Sequence, residues 1–300
     1  MSAPTTSSTT PEELLHRLDW EVLQRLDGRL QGDYRTLFLG DGLDVADLRD
    51  YQPDDDVRRI DWNVTARMDK PFVRQYDEHR DLTAWFLIDR SASMQFGHTE
   101  RSKEIVVAEL VTALARLLSH RGNRVGAMLW NNAVESLIAP RTGRPQVLRL
   151  ARQLLSPSTP TNESTTLTGL LHAGAGVARR RSLIFVVSDF VCEPGWDVAL
   201  RRLAARHEVI AIRIVDAQEL SLPNAGLVVV QDAETGEQMT VDTGNQAFRA
   251  RFGEAAEARE QRISDASKRA GIELFEISTD DDLARALLQM IAQRKGRRRR

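Results

Sequence analysis

The sequence predicts an α/β protein: a Rossmann-like, doubly wound and mainly parallel sheet, preceded by an N-terminal helix and an irregular, partly β accessory segment. Two observations carry this reading. From residue 81 onward, short apolar runs recur without polar alternation, as strands buried on both faces require. Between them lie longer stretches with apolar residues at helical spacing, which is what parallel crossovers need.

Residues 1–10 are rich in Ser, Thr and Pro and lack both a basic block and an apolar block, so they read as a disordered leader rather than a signal peptide. Residues 11–80 form the accessory segment. It opens on Pro11-Glu12-Glu13, good first-turn chemistry, and places Leu14, Leu15, Leu18, Val22, Leu23, Leu26 and Leu30 at helical spacing to about residue 31. From Gly32 to Arg80 the pattern breaks. Gly40-Asp41-Gly42 and Pro53 punctuate a charged stretch in which Tyr51, Ile60, Trp62, Phe72, Val73 and Tyr76 follow no helical period, and short strands and loops are expected.

The main domain is expected over 81–293. Its strands are Leu82 to Ile88, Arg124 to Trp130, Leu183 to Val187, Val209 to Val215 and Ile272 to Ile277, with Ala133 to Ile138 as an edge strand turned back at Asn131-Asn132. The clearest helix runs from Arg101 to Ser119, with Thr99 as its N-cap and Gly122 as its stop. Further helices are expected near Gln146 to Leu155, Leu167 to Arg179, Trp196 to Arg206, Gln246 to Ala270 and Asp280 to Ile291, and a hairpin from Leu227 to Gln231 and Gln238 to Asp242. Residues 294–300 are a basic tail.

Composition bounds the function. With 300 residues, 42% of them hydrophobic, the chain can build a substantial core. The net charge of -2 excludes a wholly basic binding surface, although six of the last seven residues are basic and the rest of the chain carries -8. Arg294 to Arg300 is therefore the one segment expected to meet nucleic acid, acidic lipid or an acidic partner, if it is more than a solvated tail. Cys192 is the single cysteine, so an internal disulfide is excluded and a reducing compartment fits. The longest apolar runs are about a quarter of a membrane span, and a cytoplasmic location is expected. The six histidines show no metal-ligand spacing.

In open parallel sheets, ligands bind beyond the carboxyl ends of the strands, where strand order reverses. After the first strand comes Asp89-Arg90-Ser91-Ala92-Ser93, and after the third apolar run comes Ser188-Asp189-Phe190. Carboxylates emerging from apolar strands are costly unless neutralised. Alternate positions 89, 91 and 93 offer one carboxylate and two hydroxyls, an oxygen set that suits magnesium. The null alternative is a polar loop cluster that caps helices. An Asp-x-Ser-x-Ser string occurs by chance in on the order of one chain in ten of this length, so its place after an apolar strand matters more than the string itself.

Asp89, Ser91 and Ser93 resemble the metal-ion-dependent adhesion site of von Willebrand factor A domains. That resemblance implies a threonine from a later loop and an aspartate after the fourth strand. Thr165, in Thr161-Asn162-Glu163-Ser164-Thr165-Thr166-Leu167-Thr168-Gly169, matches the family's spacing, with Thr166 as a rival, and Asp189 takes the aspartate's place. Glu163 and Ser164 replace the family's glycines. The implied ion is Mg2+, or another divalent cation such as Mn2+ or Ca2+.

Upstream, Leu48-Arg49-Asp50-Tyr51-Gln52-Pro53-Asp54-Asp55-Asp56-Val57-Arg58-Arg59-Ile60-Asp61-Trp62-Asn63-Val64-Thr65-Ala66-Arg67, followed by Phe72-Val73-Arg74-Gln75-Tyr76-Asp77-Glu78, resembles the signature of the bacterial domain-of-unknown-function 58 family. Asp54 stands where that family usually has glycine. In the family the signature runs into a von Willebrand A-like domain, and the resemblance implies a MoxR-type AAA+ ATPase as partner, acting on a client protein. Arg49, Asp55, Arg59, Asp61 and Arg67 form either a partner-facing patch or an internal ion-pair network in which Trp62 is a hydrophobic anchor.

The expected function is a non-enzymatic, metal-dependent interaction module. Two alternatives stand beside it: a magnesium-dependent phosphatase of Rossmann-like fold, and an adaptor tethered to nucleic acid by its tail. The phosphatase motif needs a second aspartate where this chain has Ser91, and neither a Gly-x-Ser-x-Gly elbow nor a nucleotide phosphate loop is present.

Overall fold

In a computed structural model of the chain, six strands form one sheet in the spatial order 274–278, 208–215, 183–188, 83–89, 124–131 and 133–141. The described residues are 9–26, 47–52, 57, 60, 62–68, 70–75, 82–95, 97–98, 101–120, 122–158, 166–231 and 238–298. The sheet strands are β3 (Thr83–Asp89), β6 (Arg124–Asn131), β7 (Ala133–Arg141), β8 (Leu183–Ser188), β9 (Glu208–Val215) and β12 (Leu274–Ser278). All pairings are parallel except β6 with β7. The chain runs from β3 out to β7 on one side and then crosses back to β8 on the other, so strand order reverses between β3 and β8. The doubly wound architecture is thus as expected.

Alternate residues of β3 enter two separate cores. Ala84, Phe86 and Ile88 pack with α1 (Pro11–Leu18), α3 (Lys103–His120), α4 (Arg144–Leu155) and α8 (Leu283–Arg298). Trp85 and Leu87 pack on the other face with α5 (Leu167–Val177), α6 (Trp196–Ala204) and α7 (Gln246–Ala270). On the first face Phe86 stacks on Phe185 of β8, with ring centroids 4.9 Å apart. On the second, Gly174 lets α5 sit close to β3: a Cβ there would stand 2.3 Å from a methyl of the fully buried Leu87. The edge strand turns back at Asn132, whose φ of 60° is one that asparagine tolerates.

Helix α1 belongs to the main core. Thr10 caps it, accepting from the Glu13 N–H while the Glu13 carboxylate accepts from the Thr10 N–H. Thr10, which the composition places in the leader, is therefore part of the helix cap. A π-helical turn, Asp19–Leu23, continues the helix, and Leu14, Leu15, Leu18, Val22 and Leu26 are all buried.

Ahead of the sheet, β1 (Asp47–Asp50) pairs antiparallel with β2 (Phe72–Gln75) around a short helix, α2 (Trp62–Met68). This helix was not expected, since its seven residues are too few to show a period. Trp62 is 68% exposed and Arg67 is also exposed, so Trp62 is not a buried anchor.

Two helix termini also differ from expectation. Helix α3 starts at Lys103, after the short antiparallel pair β4 (Gly97–His98) and β5 (Arg101–Ser102), and the Ser102 hydroxyl faces the Ile105 N–H at 3.4 Å. The helix therefore begins two residues later than expected, with Ser102 directly ahead of it, and Thr99 lies outside the described residues. Helix α8 continues past Ile291 to Arg298, and Arg294 is paired with Glu208 at 2.6 Å. The basic segment thus begins as helix, for which Arg and Lys are good formers. A separate hairpin, β10 (Leu227–Gln231) with β11 (Gln238–Asp242), forms as expected.

Two outcomes follow from this packing. Leu15→Ala, at a fully buried position, is expected to cost about 2–5 kcal/mol in urea unfolding; a loss within error would place α1 outside the cooperative core. His207 is buried with neither ring nitrogen hydrogen-bonded among the described residues, and burial, then the charges of Arg206 and Arg181, hold its pKa below the usual 6.5. The unfolded chain takes up a proton that the folded chain resists, so stability is lost as pH falls through that value. Because the raised Asp89 carboxyl acts in the opposite sense over the same range, the check is comparative: between about pH 7.5 and about pH 5.5 the urea midpoint of His207→Leu should fall less, or rise more, than that of the wild type.

Candidate functional site

The reversal of strand order places Asp89, at the end of β3, beside Asp189, just after β8. Both are almost wholly buried. Asp89 accepts from the Ser91 N–H at 2.9 Å and from the Ser188 hydroxyl at 2.7 Å. Burial, and then the neighbouring charge of Asp189, push the Asp89 carboxyl up to about 6, against the pull of the Ser188 hydroxyl. A 3-10 turn over Ala92–Gln95 brings the Ser91 and Ser93 hydroxyls within 3.1 Å of each other. The four expected ligands Asp89, Ser91, Ser93 and Asp189 thus lie close together at the carboxyl end of the sheet.

Asp189 is held from several sides. One of its carboxylate oxygens accepts from the Val191 N–H at 3.0 Å, and its carbonyl accepts from Arg213 Nε at 3.0 Å. The turn depends on Phe190 at φ 60°, a left-handed conformation that is costly for a residue with a Cβ. Burial of the Phe190 ring, edge-on to Trp196 at 5.0 Å, anchors it there.

A fifth residue was not anticipated. Lys103, the first residue of α3, is 0% exposed and donates to the other Asp189 oxygen at 3.0 Å, to the Glu219 carboxylate and to the Ser93 carbonyl at 3.3 Å. Glu219 ends a 3-10 turn just beyond β9, and burial raises its pKa while Lys103 pulls it back. The signal was legible: Lys103, Val106, Val107 and Leu110 form one i, i+3, i+4, i+7 stripe, so a lysine stands at a core position of an apolar helix. Asp216, buried after β9 and accepting from the Thr279 hydroxyl at 2.8 Å, is a further strand-end aspartate.

Arg90 points away from the crevice. It donates to the carbonyls of Gln153 and Ser156 at the end of α4 and pairs with Glu104 and Glu135. Cys192 lies close enough that the charges of Asp89 and Asp189 add to burial in pushing its thiol up to about 12, so it stays protonated and weakly nucleophilic. Thr165 lies outside the described residues; Thr166 occupies the N-cap position of α5 with its hydroxyl over the first turn, near Gly169. Asp55, Arg59 and Asp61, and the side chain of Arg49, also lie outside them.

The donor set fits a divalent cation. Asp89 accepts only from neutral donors in the bonds described above, and among the described residues no cation lies within ion-pair distance of it. Lys103 is shared by Asp189 and Glu219, and Arg259 also acts on Glu219, so Asp89 is the carboxylate here that no described cation pairs with. Among the described residues no three His, Cys, Asp or Glu side chains converge on one ion-sized space, so an ion here would be held by carboxylates and hydroxyls together.

The chain is 36% identical over 284 residues to an uncharacterized protein of Mycobacterium bovis and, equally, to one of Mycobacterium tuberculosis, covering 94% of this chain and 89% of each relative. Among solved structures it is similar to the conserved hypothetical protein BatB from Bacteroides thetaiotaomicron, at 17% identity and a TM-score of 0.45, covering 72% of this chain and 99% of that one. A family model described as protein of unknown function DUF58 matches residues 47–262. With well over half its length matched, the chain belongs to the DUF58 family.

Proposed function

We propose that this chain is a non-enzymatic protein-interaction module that engages its partner through a divalent cation, magnesium in the first place, at the crevice between β3 and β8. The observation that carries this reading is Asp89: a buried carboxylate with only neutral donors, beside two serine hydroxyls, at the switch point of a parallel sheet. The sheet order, with β7 alone reversed, supports the resemblance to von Willebrand factor A domains.

Asp89, Ser91, Ser93 and Asp189 would hold the ion, with Thr165 or Thr166 completing the set as the resemblance implies. When bound, the ion supplies a coordination position open to a carboxylate oxygen of the partner. The chain's own residues set the conditions for that. The Ser188 hydroxyl and Ser91 N–H orient the Asp89 carboxylate, and Val191 N–H and Lys103 orient Asp189. Following the family resemblance, the partner is a MoxR-type AAA+ ATPase that acts with this chain on a client protein.

The test is capture of the MoxR-type ATPase from the same organism by the full chain. Capture is expected in Mg2+ and is expected to be lost in chelator, and Asp89→Ala should lose it in Mg2+ while keeping its circular dichroism spectrum. Capture that is undiminished in chelator would overturn the metal-dependent reading.

A further inference from the structure

Lys103 is the most deeply buried charged side chain among the described residues, at 0% exposure. Its position is unfavourable on two counts. An ammonium out of water carries a large desolvation cost, and the first turn of a helix presents the positive end of the helix dipole, which repels a cation. Something must offset both. Three acceptors from three different segments do so: the Asp189 carboxylate after β8, the Glu219 carboxylate after β9 and the Ser93 carbonyl in the turn after β3. The lysine therefore ties together the three strand ends that form the crevice.

The compensation is one-sided. Lys103 meets Asp189 and Glu219, whereas Asp89 accepts from the Ser188 hydroxyl and the Ser91 N–H. A divalent ion drawn in by Asp89 and the serine hydroxyls would meet an Asp189 carboxylate already engaged by an ammonium.

We propose that Lys103 is a built-in cation that shares Asp189 with the bound metal. It keeps the crevice assembled in the metal-free protein, and by repelling a second cation it weakens metal binding, so that the site loads and empties without unfolding. This rests on the metal reading of Asp89, Ser91, Ser93 and Asp189, and makes the ion an exchangeable ligand rather than a structural one.

The test compares the full-length chain with Lys103→Met and Lys103→Met/Asp189→Asn, by thermal unfolding in chelator and in saturating Mg2+, and by calorimetric titration with Mn2+. The wild-type melting temperature is expected to rise between chelator and Mg2+ by less than that of Lys103→Met, since weaker binding gives a smaller linked gain. Lys103→Met should melt lower in chelator, regain stability in Mg2+ and bind Mn2+ at least about tenfold more tightly, because one positive charge beside the ion is gone. A merely structural lysine would not move that affinity. If Lys103→Met fails to fold in chelator, the double variant decides. It removes the stranded carboxylate with the ammonium, so it should fold without metal and be indifferent to Mg2+; a double variant no more stable than the single one overturns the proposal. Equal Mn2+ affinity of wild type and Lys103→Met overturns the role of Lys103 and leaves the metal reading standing. Absence of Mn2+ and Mg2+ binding from both overturns the metal reading, and the sharing with it.

Discussion

Because Phe86 and Ile88 enter one layer of helices and Trp85 and Leu87 the other, β3 has no side facing water, and the first residue at which it carries a charge is Asp89, at its carboxyl end. The same holds for β8, buried along its whole length and followed by Asp189. Two-sided burial of a parallel sheet drives polar chemistry to the strand ends. The reversal of strand order then opens a crevice between the two central ends, and the acidic residues meet there. The candidate site is thus a consequence of the core rather than an addition to it.

Burying charge so close to the core has a cost that the structure meets with hydrogen bonds and fixed cations. Arg213, on β9, donates to the Asp189 carbonyl and pairs with Glu260 on α7 and Glu276 on β12, which ties the crevice floor to the far edge of the sheet. Arg90 closes the end of α4, and Lys103 holds Asp189 and Glu219. Asp89 stands apart in this network, since its donors are neutral and its carboxyl is pushed upward by burial and by Asp189.

The N-terminal helix shows how far the core extends in sequence. Leu15 and Leu18 share one apolar cluster with Phe86, Ile212 and Leu287, residues that lie up to the last helix of the chain. Arg17 and Arg101 reach the same carboxylate, Glu109 on α3, and Arg116 pairs with Asp19 in the π-helical turn. Helix α1 is therefore positioned by both apolar burial and ion pairs against α3, the helix that carries Lys103 into the site.

Periodicity and apolar runs alone determined the element types, because 3.6-residue and continuous apolar patterns report burial directly; the hairpin of Leu227–Gln231 with Gln238–Asp242 and helix Gln246–Ala270 have the bounds their patterns implied. Asp89, Ser91, Ser93 and Asp189 were legible as strand-end residues for the same reason. The seven-residue helix at Trp62, the start of α3 beyond Thr99 and the ordering of Thr10 were not, since each depends on a local hydrogen bond or strand pair too short to leave a pattern. Only the tertiary structure decided that Lys103 meets Asp189 across 86 positions, because ion pairing in a buried crevice is a property of which strand ends are adjacent, and adjacency is set by the crossover that returns the chain from β7 to β8.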